Sequence, residues 1–109
     1  MLAPGDASAQ YHWEASQEEW LLVLEGSPTV RTPEGEQALR AGDVACFERG
    51  PAGAHQVINR SDAPVRIVLL SEVGRPEVIV YPDSGKVAVT TDGWVDGIFR
   101  LEDTVGYWE

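Results

Sequence analysis

The chain contains two histidines, His12 and His55, and each stands beside residues that could share a metal ion with it. In "YHWEASQEEW" one residue separates His12 from Glu14. Side chains at i and i+2 of an extended segment share a face, so these two would project together. Two more acids, Glu18 and Glu19, follow a short polar turn and immediately precede the apolar run from Trp20 to Glu25. Strand alternation lets only one of that pair face the interior. His55 lies in "PAGAHQVIN", beside a glycine turn and at the head of another apolar strand. Imidazole combined with carboxylate is a donor mixture that Mn, Fe, Ni, Zn and Cu accept. A fold that gathers His12, Glu14, Glu19 and His55 would therefore own a coordination centre. Taken singly, a strand histidine is more often a hydrogen-bonded core residue, and an acid ahead of a strand is usually solvated. Glu18, the remaining acid, is either such a solvated group or a general base.

The elements that must position these side chains are short and β-branched, separated by turn residues at intervals that suggest a sandwich or barrel. The pattern predicts strands over Trp20–Glu25, Thr29–Thr32, Gln37–Arg40, Asp43–Phe47, Gln56–Arg60 and Val65–Ser71. Between them lie "EGSP", "TPEGE", "RAGD", "RGPAGA" and "RSDAP", rich in residues that supply fixed or positive φ. No stretch sustains a helical period, so the fold class is all-β. Many short strands leave edges to hide, which favours a jelly-roll barrel. Trp13, Trp20 and Phe47 would fill that barrel as core or line its pocket.

These strands make residues 1–72 the barrel core. Residues 73–109, broken by Pro76, Pro82 and Gly85, read as a C-terminal arm packing on the barrel or on a partner subunit. Trp94, Tyr107 and Trp108 would be its anchors, because large aromatics in a polar segment need a surface to cover. The "SGK" at 84–86 is not a phosphate loop: the required glycine five residues before Gly85 is Val80, and no helix pattern follows.

Bulk properties exclude several function classes. At 109 residues the chain is one domain. With 18 acidic and 8 basic residues its formal net charge is -10, which repels nucleic acid and anionic membrane surfaces. A single cysteine, Cys46, makes no internal disulfide. That suits a reducing compartment, and its apolar setting "DVACFE" predicts a buried, inert thiol. No apolar run approaches a membrane span and no leader pattern opens the chain, so a cytoplasmic protein is expected.

The order of the motifs resembles the cupin superfamily from Tyr11 to Ser71. The first motif of that family places two histidines one residue apart, then a glutamate, then a glycine. His12, position 14, Glu19 and Gly26 follow this order. The second motif runs from a glycine through PxG to a histidine and an asparagine, matched by Gly42, Pro51, Gly53, His55 and Asn59. The departure is position 14, glutamate where the family usually has its second histidine. The segments "EEWLLVLEG", "AGDV" and "HQVINRSDAPVR" are similar to small single-domain bacterial cupins. The resemblance implies a cupin-type jelly roll and a divalent metal, with Mn, Fe or Zn the expected identities, held by His12, Glu14, Glu19 and His55. Carboxylate in place of imidazole would harden the site toward Mn or Fe(II). A variant has Glu14 turned out toward Arg49, leaving a face of two histidines and one carboxylate. The resemblance also implies a homodimer with a small polar or carboxylate-bearing ligand. Two functions follow: a metal-dependent oxygenase, isomerase or decarboxylase, or a metal-free small-molecule binding module or sensor.

Overall fold

The structure is a computed structural model and describes all residues 1–109. Ten strands follow one another: β1 (Trp13–Glu14), β2 (Glu19–Glu25), β3 (Thr29–Thr32), β4 (Gly35–Ala38), β5 (Val44–Phe47), β6 (Gln56–Ile58), β7 (Arg66–Ser71), β8 (Glu77–Tyr81), β9 (Lys86–Thr90) and β10 (Val95–Arg100). Two single-turn 3-10 segments, Pro51–Gly53 and Leu101–Asp103, are the only helical elements. No helix is long and apolar enough to cross a membrane.

The strands form three hydrogen-bonded groups, in the orders β5-β2-β7, β4-β3-β6 and β1-β8-β9-β10. The second and third are joined where His12 bridges His55, each donating its backbone N–H to the other's carbonyl, at 3.1 and 2.9 Å. The outcome is one long curved sheet facing the β5-β2-β7 sheet. Leu21 and Phe47 from the small sheet meet Val30 and Val57 from the long one to form the core. Alternation explains the membership: Leu21 and Val23 are buried while Trp20 and Leu22 point outward. The N-terminal segment adds edge bridges at Leu2 to Val65 and Ala7 to Ile58. This is a jelly-roll barrel.

Strand boundaries differ from the sequence reading where turns decide them. β4 occupies Gly35–Ala38 and not Gln37–Arg40, because Thr32 pairs with Gly35 and tightens the hairpin. The segment after residue 72 is more regular than its Pro and Gly content suggests, and β10 is a strand that the sequence pattern did not signal. Its pairing with β9 carries a bulge between Val95 and Gly97, which hides the period-2 pattern. Trp94, Tyr107 and Trp108 are 87%, 88% and 92% exposed, so within one chain they cover nothing.

The expectation of a buried Cys46 is overturned: the residue is exposed. In β5 Ala45 and Phe47 take the inward positions, so parity sends Cys46 out, beside Trp20 across the pair. The apolar neighbourhood is real, but it is an outer face. The thiol is still held above its ordinary pKa by desolvation and by the charges of Glu18 and Glu48, which keeps it protonated and unreactive.

Glycine is obligatory at Gly53. A Cβ there would lie 1.7 Å from the Glu48 carbonyl oxygen, so the turn into β6 closes only without a side chain. The core ledger is equally local. Leu21→Ala should cost about 2–5 kcal/mol by chemical denaturation, since Leu21 is fully buried between both sheets. Leu24→Ala, on the outer face, should stay within about 0.5 kcal/mol of the parent.

Candidate metal centre

The site forms where the two sheets close on each other. His12 and His55 come from the long sheet and Glu19 from the first position of β2 on the small one. Their ligand atoms lie within 4.8 Å of one another. Each histidine is held at Nδ1: His12 Nδ1 is 2.7 Å from the Gln10 carbonyl oxygen and His55 Nδ1 is 2.8 Å from that of Gly53. A carbonyl can only accept, so Nδ1 carries the proton in both rings and Nε2 presents its lone pair. Burial, the largest influence, holds His12 below the ordinary imidazole pKa despite the Gln10 contact that opposes it. The ring is therefore neutral, the form that ligates metal.

His55 is 3% exposed and stacks on Phe47, with ring centroids 3.7 Å apart and planes 7° from parallel. Phe47 pairs directly with Glu19 across β5 and β2, so one aromatic ring fixes both the histidine and the strand position of the carboxylate. His55 Nε2 is 2.9 Å from Glu19 Oε1. In the neutral tautomer set by Gly53 both atoms are acceptors, and they tolerate that separation only with positive charge between them. A proton supplies it as an ion pair; a divalent cation supplies it as a shared ligand contact. Two donors at about 2.1 Å from one ion and at right angles to each other are about 3.0 Å apart, so the spacing fits a coordinated cation.

Glu14 lies outside this group of three. It is 8% exposed, on the same face of β1 as His12, and its Oε1 accepts from Gln17 Nε2 at 3.2 Å. Desolvation raises its pKa, with the charges of Glu19 and Glu77 acting in the same direction. Arg49 does not draw it outward, because that guanidinium is 2.6 Å from Glu72. Glu18 is turned away from the centre: its backbone N–H donates to Glu72 and its carboxylate lies near Cys46. Of the three aromatics, Phe47 reaches the site. Trp20 occupies an outward position of β2, and the rings in contact with the two histidines are Phe47 and Tyr81. Phe47 is also one wall of a separate cleft of about 300 Å³ between β3, β4 and β5, which the three ligand candidates do not line.

Two residues near the centre gave no usable signal in the sequence. Glu77 is 2% exposed, and its Oε1 accepts the backbone N–H groups of Ala15, Ser16 and Val78 at 3.0, 2.9 and 2.8 Å. It thereby fixes the turn between His12 and Glu19, while Oε2 has no partner. Tyr81 places its ring 6.1 Å from that of His12. Both lie in the segment after residue 72, where the pattern reads only as an arm.

Residues 1–71 match the family model of the cupin domain, Cupin_2. No curated protein matches the sequence. Among solved structures, a cupin-superfamily sugar phosphate isomerase from Silicibacter pomeroyi DSS-3 superposes with a TM-score of 0.87 at 27% identity, over 94% of this chain. The chain spans 65% of that structure's length. A structure from Acidithiobacillus ferrooxidans ATCC 23270 shares the fold at a TM-score of 0.87 and 23% identity, covering 99% of this chain and 68% of its own. TT1209 from Thermus thermophilus is 34% identical over 69% of this chain and 68% of its own, with a TM-score of 0.56.

The raised Glu14 pKa has a definite sign in stability. A carboxyl group whose folded pKa exceeds its unfolded value favours folding below the unfolded pKa, and that contribution is lost as pH rises through the folded pKa. Chelator-treated Glu14→Gln protein should therefore melt higher than the parent at pH 7, and the difference should close toward pH 4. A thermal-melt series across that range checks it.

Proposed function

The chain belongs to the cupin family, and on that premise we propose that it is a metal-dependent isomerase acting on a small phosphorylated sugar. His12, Glu19 and His55 hold a divalent cation, Mn, Fe or Zn. The single observation behind the reading is the pair of Nδ1-anchored imidazoles aimed, with one carboxylate, at a common point between the sheets. Three protein donors leave coordination positions free for substrate oxygens. The isomerase class is preferred over oxygenase and decarboxylase because the similar Silicibacter pomeroyi protein is a sugar phosphate isomerase.

When bound, the cation supplies a Lewis acid that polarises a carbonyl oxygen. The chain's own groups supply the rest. Aldose–ketose interconversion moves one proton between adjacent carbons and one between their oxygens, with no net oxidation. Glu14, the buried carboxylate left over by the three ligands, accepts the carbon-bound proton and returns it to the neighbouring carbon. Gln17 orients it through Oε1. Glu14 instead becomes a fourth ligand if its side chain turns toward Glu19. Stacking of Phe47 on His55 keeps bulk water from that side of the centre.

The chain is read as a homodimer. Val44 and Leu70 on the outer face of β5-β2-β7 are 65% and 61% exposed, and Ile98, Phe99, Tyr107 and Trp108 on the C-terminal arm are more than half exposed. The molecule measures 52 × 25 × 23 Å, longer than a compact chain of this size, and apolar area on that scale marks an interaction surface. A reducing cytoplasm, where a lone exposed thiol persists, is the setting this reading assigns.

Metal analysis of protein prepared without an affinity tag tests the site. About one equivalent of divalent metal per chain should be bound, and Glu19→Gln or His55→Ala should weaken binding at least tenfold. A metal-free parent that takes up none would favour a metal-free binding module, whose pocket would be the cleft bounded by Phe47. Light scattering should give a mass near twice the 11.9 kDa chain, and Phe99→Asp with Trp108→Asp should shift it toward one chain.

A further inference from the structure

Antiparallel registers set side chains of neighbouring strands in rows on one face of a sheet. In the long sheet Tyr81 of β8 pairs with Lys86 of β9, and Lys86 pairs with Arg100 of β10. Trp13 pairs with Val80 and Glu14 with Ile79, so one step further along the same register His12 falls opposite Tyr81. The row is His12, Tyr81, Lys86, Arg100. It lies on the face that carries Glu14, Glu77 and the buried Ala88, which is the inner face. A recess of about 190 Å³ opens along it, lined by Ala9, Gln10, Tyr81, Lys86 and Ile98. This recess adjoins the metal centre through two of its walls: the Gln10 carbonyl is bonded to His12 Nδ1, and the Tyr81 ring lies against the His12 ring.

The cations in this row lack the carboxylate partner that half of the chain's basic residues have. Of its 8 basic residues, Arg31, Arg49, Arg60 and Arg66 are each tied to a carboxylate within 3.0 Å. Arg75 is engaged by Gln17 and the Gly74 carbonyl, and Arg40 is exposed on the turn before β5. Lys86 and Arg100 have no carboxylate partner, although the chain carries 18 acidic residues, and Lys86 is half-buried. The nearest hairpin acid, Asp83, is taken bidentately by Arg31 at 2.6 and 2.9 Å. Arg100 is exposed and, with Lys86, borders an adjoining cleft that Asp103 also lines without forming an ion pair; a half-buried ammonium beside a guanidinium, neither in an ion pair, is set up for an anion from outside the chain.

We infer that this recess, beside the metal centre, is an anion subsite in which Lys86, with Arg100 next to it in the row, takes the phosphate group of a small phosphate monoester whose oxygen-bearing end reaches His12, Glu19 and His55. The inference rests on the isomerase reading and specifies which residues recognise its substrate's phosphate. Adjacent strands are about 4.8 Å apart, so Lys86 stands two strand spacings, about 10 Å, from His12 along the backbone row. Its flexible stem covers part of that distance, and a short phosphorylated carbon chain covers the rest. The glycine-turn "SGK" thus acts by the position of its lysine in a strand and not as a phosphate loop.

The test titrates inorganic phosphate into the full chain, first with chelator present, following backbone amide shifts by NMR. Saturable binding in the millimolar range is expected, with the largest shifts at Tyr81, Lys86 and Arg100. Lys86→Gln should weaken it at least tenfold, Lys86→Arg should keep it within about threefold, and Arg100→Gln should weaken it two- to fivefold. Lys86→Gln protein must retain the parent's imidazole resonances at His12 and His55 and its metal stoichiometry. Equal phosphate affinity in Lys86→Gln and parent, or no saturable binding to the parent, overturns the subsite. Acetate binding as tightly as phosphate at the same residues overturns the assignment to a phosphate monoester. Saturable phosphate binding by a parent chain that itself takes up no Mn, Fe or Zn supports the subsite and refutes the metal-centred reading instead.

Discussion

The structure depends on how polar groups are satisfied at the seam between its two sheets. Glu19 stands opposite Phe47 in the small sheet, Phe47 stacks on His55 in the long one, and His55 Nε2 returns to Glu19 Oε1 at 2.9 Å. That closed circuit buries an imidazole and a carboxylate together, which would be costly unless both found partners. Gly53 makes it reachable: its carbonyl fixes the His55 tautomer, and its lack of a side chain lets the turn pass over Glu48. The same few residues therefore settle packing, tautomer and donor geometry.

Around this seam the remaining motif residues are structural. Asn59 is fully buried; it donates to the carbonyls of Leu2 and Ala63 and accepts from Ser61. It pins the N-terminal segment and the turn before β7. Gly26 has a φ of 85°, and a Cβ there would fall 2.8 Å from the Pro64 carbonyl oxygen. These residues bring the ends of distant strands close enough for side chains from opposite sheets to meet. Chemistry is left to few groups, of which His12, Glu14, Glu19 and His55 lie at the seam and Lys86 two strands along the row that begins with His12.

Much of this was legible in the sequence. The two histidines, the glutamate ahead of the apolar strand and the glycine turns fix the motif order; alternation left Glu18 and Glu19 open, and the resemblance to the cupin motif pointed to Glu19. What was not legible came from long-range pairing. Nothing local says that residues 77–81 sit beside residues 13–14, so Glu77 and Tyr81 gave no sign of their nearness to the centre. The bulge in β10 masked its alternation. Cys46 was misjudged because an apolar sequence neighbourhood does not distinguish a core from an uncovered sheet face. The side of Glu14 was readable from parity, but its hydrogen bond to Gln17, just past the turn held by Glu77, was not.

The central claim is that one cation unites side chains from both sheets. Anomalous diffraction from crystals of the full chain grown with Mn²⁺ addresses it directly. The account predicts a single strong peak about 2.0–2.3 Å from His12 Nε2, His55 Nε2 and a Glu19 oxygen. A His55–Glu19 contact bridged by nothing, with any manganese bound elsewhere on the acidic surface, would contradict it.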